Sequence, residues 1–246
     1  MALLLKSFLT NSRIFPACLR LRSTLSSEMI ENMDKKATWD RFYVENNSKT
    51  SPFKNFEWFF GFEAVQNIIL PLLQSSTSLQ APLQVLDIGC GTSALGPSVY
   101  RSCSVPVRVT CGDISPVAVR LMQEHARDVP PGNRFSQLEF VELDCTQLHK
   151  HFGPSSVDLI VDKGTTDALL KSKQGKTSAG LVLKQCLKAL RHSGSLLQFS
   201  DEDPDARLVW LETEARTARV GVHEVGTLRG VCYFCYHVTP HSSGQH

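Results

Sequence analysis

Val85-Leu86-Asp87-Ile88-Gly89-Cys90-Gly91-Thr92 is the stretch that decides how this chain of 246 residues folds. Residues 84–88 are a short apolar run carrying one carboxylate, and the run breaks at two glycines. That pattern suits a buried parallel strand entering a tight turn, with a helix to follow. Glycines at such a turn let backbone N–H groups approach a ligand with no Cβ in the way, and the helix N-terminus beyond them favours negative charge. The turn therefore reads as a nucleotide-type site, and two kinds of ligand compete for it. Gly89, Gly91 and Ala94 satisfy the G-x-G-x-x-A fingerprint of dinucleotide sites, with Asp113 about 20 residues on, where a ribose-binding acid belongs. Against that ligand stands Asp87, which would sit close to a pyrophosphate and repel it, with no Lys or Arg between Asp87 and Tyr100 to compensate.

A cofactor with an ammonium and a sulfonium in place of phosphates suits that carboxylate, and S-adenosylmethionine is such a cofactor. D-x-G-x-G after a strand resembles the first motif of the seven-stranded class I methyltransferases. The resemblance implies a Rossmann-like α/β fold with a mostly parallel sheet and an antiparallel closing hairpin. Further strands are expected over 107–112, 138–143, 157–162 and 195–200, with helices over 93–100, 116–127 and 178–190, the last turning Leu181, Leu183, Leu187 and Leu190 inward. Residues 163–167 read as the exit loop of the fourth strand, 192–194 as the turn that closes the last helix, and 220–225 with 230–238 as the hairpin, turning through Gly226. Three of these strands end on Asp113, Asp144 and Asp162. Ligands of open α/β sheets bind beyond the carboxyl ends of the strands, so Asp87, Asp113, Asp144 and Asp162 should converge on one cleft. The expected cofactor-binding residues are Asp87, Gly89, Cys90, Gly91, Asp113, Ile114, Ser115, Asp144, Cys145, Asp162 and Lys163.

Composition bounds the function classes. The chain is 42% hydrophobic and 20% charged, ordinary for one globular domain with a substantial core. Residues 1–27 hold Lys6, Arg13, Arg20 and Arg22, seven Ser or Thr and no acid, with apolar residues between them. A basic, hydroxyl-rich, acid-free start of this kind reads as a mitochondrial transit peptide, the alternative being a basic tail. Its removal takes four positive charges from a formal net charge of +2, leaving about −2 and no general nucleic-acid footprint. Residues 28–80 read as an N-terminal aromatic and helical cap, 81–240 as the methyltransferase core and 241–246 as a disordered tail. No apolar run has the length of a membrane span. Eight cysteines lie mostly in or beside apolar runs, which fits free thiols in a reducing compartment. Cys232, Cys235, His237 and His241 raise a zinc site, but on a strand positions 232 and 235 face opposite ways, so core packing is the reading and no metal is expected.

Aromatic clusters at Trp39-Asp40-Arg41-Phe42-Tyr43 and Phe56-Glu57-Trp58-Phe59-Phe60-Gly61-Phe62 either cap the sheet or wall a pocket that attracts cations. Together with Asp162-Lys163-Gly164-Thr165 and Asp167-Ala168, they resemble one branch of protein-lysine methyltransferases, which includes the enzymes acting on elongation factor 1A. Within it, the second cluster, the basic start and Gln198-Phe199-Ser200-Asp201-Glu202-Asp203-Pro204 resemble the mitochondrial members directed at citrate synthase. The resemblance implies methylation of a lysine of citrate synthase in the matrix, and it departs from amino- and glutamine-directed enzymes in lacking Asn-Pro-Pro-Tyr after the fourth strand. On this reading Asp162 is the catalytic residue that orients the incoming ammonium, and Trp58, Phe59, Thr165 and Asp201 are expected at the substrate. Asp162 on the cofactor alone, Asp201-Glu202-Asp203-Pro204-Asp205 as a plain helix start, a small-molecule methyltransferase and a non-catalytic assembly factor stay open as alternatives.

Overall fold

Residues 84–88 lie in a strand, β1 (Leu83–Ile88), that has a parallel neighbour on each side. The computed structural model describes residues 25–47, 53, 55–74, 81–216, 218–228 and 230–241. Beside β1 on one flank come β2 (Val107–Asp113) and then β3 (Gln137–Glu142). On the other flank come β4 (Val157–Lys163) and β5 (Leu190–Ser200), all parallel. An antiparallel pair, β6 (Ala218–Leu228) and β7 (Val231–Pro240), closes the sheet, giving the order β3-β2-β1-β4-β5-β7-β6. The chain winds outward from β1 to β3 and then crosses back to β4. That reversal opens a crevice above the carboxyl ends of β1 and β4, where open α/β sheets take ligands.

Strand alternation divides the core in two. Val85, Val109, Leu159, Val161, Leu197 and Phe199 face one layer, made by α3 (Gln66–Gln74), α4 (Leu95–Ser102) and α5 (Pro116–His125). Leu86, Ile88, Ile160 and Leu196 face the other, made by a 3-10 turn (Cys145–Lys150), α7 (Lys176–Ala189) and α8 (Pro204–Glu214). Each fully buried Leu, Ile or Val contributes about 1.5–3 kcal/mol relative to exposure, so both layers are needed to hold a central strand buried on each face. Ser115 caps α5 by accepting from Ala118 N, with Pro116 at its first turn, as the sequence pattern requires.

Several local expectations give way. Thr165 and Thr166 do not form an exit loop; after a single turn residue, Gly164 at φ +91°, they open the short helix α6 (Thr165–Lys171). In α7 the inward face is Val182, Leu183, Cys186 and Ala189, while Leu181 is 45% exposed. Residues 192–194 belong to β5 rather than to a closing turn, and the extra length is taken up by a register shift against β4 between Val157 and Leu159. The hairpin turns between Leu228 and Val231; Gly226, at φ +134°, is a bulge where the β6–β7 register shifts. Cys235 is buried in the core, and His237 Nε2 lies 2.8 Å from Ser195 Oγ. Among the described residues no helix is long and apolar enough to cross a membrane, and no cluster of three metal-ligating side chains occurs. The presequence expected over 1–27 lies almost wholly outside the described residues, as does most of the expected tail. Residues 25–27 are the start of α1 (Leu25–Glu31), which is followed by α2 (Lys36–Asn46).

Candidate active site

Gly89 and Gly91 both adopt left-handed backbone, at φ +59° and +54°. A Cβ on Gly89 would lie 2.0 Å from Thr165 Oγ1, and one on Gly91 2.4 Å from the Tyr43 hydroxyl. Conformation and space therefore both demand glycine. The turn is fixed by the neighbouring strand: Cys90 N donates to Gly112 O at 3.0 Å, and Gly91 N donates to Asp113 Oδ2 at 2.8 Å. Asp113 Oδ1 accepts from Ser115 N at 2.8 Å, and the Ser115 hydroxyl donates to Asp40 on α2, which ties the N-terminal cap to this strand end.

The four strand-end acids have different surroundings. Asp87 is 3% exposed, and its Oδ2 is buried with no hydrogen-bond partner among the described residues. Burial pushes its pKa up to about 7; Lys163 pulls it down, while Glu57, Asp162 and Asp113 push it further up. Burial likewise raises Asp113 to about 6, against the two backbone donors it accepts. For Asp144 burial again acts upward, but donors from Thr146 and Gln147, with Lys150 nearby, outweigh it and leave the group below its ordinary value.

Asp162 departs from its expected place. It is 1% exposed and absent from the cavity wall. Oδ1 accepts from Thr165 N at 2.9 Å and Thr166 N at 3.2 Å, while Oδ2 accepts from the Thr166 hydroxyl and from Gln198 Nε2 at 3.0 Å. Strand parity is the reason: Asp162 pairs with Ile88 and shares the face of Ile160, opposite the face of Asp87. Both oxygens of this carboxylate are thus engaged, in capping α6 and in holding Gln198. Burial raises its pKa to about 6, with the Thr166 hydroxyl opposing.

Lys163, next along β4, points the other way and grips the aromatic segment. Its ammonium, 4% exposed at the side chain, donates to Glu57 Oε2 at 2.8 Å, Trp58 O at 2.8 Å and Phe60 O at 3.1 Å. Glu57 also accepts from the Ser93 hydroxyl and from Ala94 N, both at 2.7 Å, and Phe56 N donates to Thr92 Oγ1 at 3.2 Å. Residues 55–60 are thus strapped across the glycine turn, with Phe59 held at φ +71°, an uncommon conformation for a bulky residue. The strap aims Trp58 into the site, edge-on to Trp39 with ring centroids 6.2 Å apart.

These parts enclose a cavity of about 260 Å³. Of the expected residues, Trp58, Asp87, Gly89, Cys90, Gly91, Asp113, Ile114, Asp144, Cys145, Lys163 and Thr165 line it. Ser115, Asp162, Phe59 and Asp201 do not. Ser115 is consumed as a helix cap, Phe59 packs against Phe60 and Tyr233, and Asp201 pairs with Lys171 at 3.2 Å. Sequence reasoning missed Met33 and Asp34, from the turn between α1 and α2, and Ala168, Leu169, Ser178 and Val182, from α6 and α7. Ala168 and Leu169 were hidden because residues 163–167 read as a loop, and Ser178 and Val182 because the expected helix over 178–190 was given a different inward face; nothing in the local pattern marks Asp34.

Sheet order, glycine turn and acid-lined cavity define a class I methyltransferase. Residues 79–219 match the methyltransferase domain family. Among solved structures, the N-methyltransferase NodS of Bradyrhizobium japonicum, in complex with S-adenosyl-L-homocysteine, superposes with a TM-score of 0.57 at 17% identity, covering 82% of this chain and 98% of that one, which speaks to the fold. Among curated proteins, the mitochondrial citrate synthase-lysine N-methyltransferase of Danio rerio is 59% identical over 228 residues, 90% of this chain and 89% of its own. The human protein of the same name is 41% identical over 82% of this chain and 84% of its own. The human eEF1A lysine and N-terminal methyltransferase is 29% identical over 65% of this chain but only 19% of its own length. The chain belongs to the citrate synthase-lysine N-methyltransferase family, and it is an S-adenosylmethionine-dependent enzyme. The site fits that cofactor: the unpaired oxygen of Asp87 asks for a cationic donor, and the two glycines leave the turn open.

Proposed function

We propose that this chain methylates a lysine of citrate synthase in the mitochondrial matrix. The observation that carries the reading is a cavity whose wall combines the unpaired Asp87 oxygen, the Asp113 carboxylate and the aromatic rings of Trp39, Phe56 and Trp58. The relatives' names supply the acceptor protein, and the basic, acid-free start over residues 1–27 supports the compartment.

When bound, S-adenosylmethionine supplies a methyl group activated on a sulfonium. Asp87 would hold its ammonium and Asp113 its ribose hydroxyls, with the Gly89-Cys90-Gly91 backbone beneath and Ile114, Asp144 and Cys145 beside the adenine. The acceptor amine must be neutral and aligned to react. A free lysine has a pKa of about 10.4, and desolvation lowers it by disfavouring the charged form. Trp39, Phe56 and Trp58 line the cavity, and their faces suit an aliphatic stem ending in a cationic head. Alignment supplies much of the acceleration in such displacements, so the groups that fix the wall matter as much as those that touch substrate. Asp162 acts here as a positioning residue through Thr165 and Thr166, and Lys163 through the strap.

The test is incubation of the purified protein with radiolabelled cofactor and a mitochondrial extract. The expected result is one labelled band identified as citrate synthase, with the label on a lysine. Label on any other protein, with citrate synthase present and unlabelled, overturns the assignment.

A further inference from the structure

Two buried carboxylate oxygens of the cavity residues have no hydrogen-bond partner among the described residues: Asp87 Oδ2 and Asp34 Oδ1. Asp34 lies in the turn between α1 and α2, and its side chain is 7% exposed. Its second oxygen is 2.6 Å from Nζ of Lys35, whose side chain is half in solvent. The turn is pinned from both sides, for Trp39 Nε1 donates to Met33 O at 2.8 Å and Lys173 N donates to Glu31 O at 3.1 Å. A carboxylate oxygen held out of water without a donor is costly, and a donor arriving with a ligand removes that cost.

We infer that Asp34 receives the ammonium of the incoming lysine. The inference rests on the reading of the site as a lysine methyltransferase. Such a site must hold two N–H-bearing cations, the cofactor's ammonium and the lysine's, and its wall offers two orphan oxygens. Asp87, beside the glycine turn, falls to the cofactor. The remaining acids are engaged: Asp113 by Gly91 and Ser115, Asp144 by Thr146 and Gln147, Asp162 by Thr165, Thr166 and Gln198, and Glu57 by Lys163. Among the described acids at the site, Asp34 is the one besides Asp87 that keeps a free oxygen, and the preceding residue, Met33, accepts from Trp39, whose ring belongs to the same cavity. Recognition of the charged form by Asp34 selects lysine over neutral side chains as it enters, before the aromatic wall favours the neutral amine.

The test compares wild type, Asp34→Asn and Lys35→Met for cofactor affinity by calorimetry, denaturant midpoint, and initial methylation rates against citrate synthase concentration. Losing one charge-assisted bond should lower kcat/KM of Asp34→Asn about 10- to 100-fold, with cofactor affinity and midpoint unchanged. Lys35→Met should retain wild-type rates. Three results overturn the inference: Asp34→Asn at wild-type rate, a parallel loss of cofactor affinity that gives Asp34 to the cofactor, or an equal loss in Lys35→Met that reduces Asp34 to its surface pair. Should wild type label a different protein in the extract, the citrate synthase reading fails alone, and the same comparison is run on that protein. A wild type that labels nothing overturns both.

Discussion

Replacing Asp87 by Asn should make the ligand-free protein more stable while destroying its affinity for the cofactor. The magnitude follows from the buried carboxylate, whose pKa rises from 3.8 to about 7. Three units at about 1.4 kcal/mol each set a ceiling of roughly 4 kcal/mol on the cost of keeping Asp87 ionised in the folded state. The new amide needs its own partners, so a gain of about 1–3 kcal/mol is expected. The sign of the pH dependence is fixed by the direction of the shift. Because the folded-state pKa lies above the unfolded one, the unfolded chain loses this proton first as pH rises. Wild type therefore loses stability through this group between about pH 4 and pH 7 and no further above that. Asn has no such slope, so its advantage is small near pH 4 and complete by about pH 8.

Urea denaturation of both proteins without ligand, at about pH 4.5 and pH 8, reads the difference directly. Saturating cofactor at about 100 times its Kd should then stabilise wild type by roughly 2.7 kcal/mol and the variant not at all. A variant less stable than wild type at pH 8, a difference independent of pH, or an unchanged ligand shift would each refute the view that Asp87 is an unpaired charge kept for a cationic ligand.

Other substitutions probe the rest of the site. Gly89→Ala meets both a left-handed backbone and Thr165 Oγ1 at 2.0 Å, and should cost about 2–4 kcal/mol in denaturation with loss of cofactor binding in calorimetry. Glu57→Gln removes the counterion of a buried lysine; with two carbonyls still on Lys163, a loss of about 1–3 kcal/mol is expected, together with a red-shifted tryptophan emission as the strap loosens. Asp162→Asn turns an acceptor into a donor facing Gln198 Nε2 or the two threonine N–H groups, and should lower the thermal midpoint of the ligand-free protein and weaken cofactor binding as well as turnover. A drop in turnover alone, at unchanged stability and affinity, would return Asp162 to the reacting groups.

The sheet was legible because its signals are local. Strands ending on Asp87, Asp113, Asp144 and Asp162 are marked by short apolar runs and turn residues, and the glycines by their spacing. What local pattern does not give is the direction of a side chain at a strand end. Asp87 and Asp162 look equivalent in sequence, yet the register pairs Ile88 with Asp162, which puts the two acids on opposite faces. Counting the alternation back from Ile160 would have revealed it. The contribution of the α1–α2 turn depends on contacts made across the fold, such as Lys173 N on Glu31 O, and no spacing within residues 28–36 announces them.

The same alternation explains why Asp162-Lys163-Gly164-Thr165 and Phe56-Glu57-Trp58 occur in one chain. Asp162 faces the α7 layer and caps α6; Lys163 faces the opposite layer and holds Glu57 and the carbonyls of Trp58 and Phe60. Gly164 gives way to the Trp58 ring, since a Cβ there would lie 2.3 Å from its Cδ1. Thr165 donates its hydroxyl to Ile88 O at 2.9 Å, joining the start of α6 to the last residue of β1. Each of the four residues thus fixes a different piece of the cavity wall. On the proposed reading the chemistry falls to groups left unsatisfied, Asp87 among them, and the motif holds the aromatic strap against the glycine turn so that those groups line one cavity.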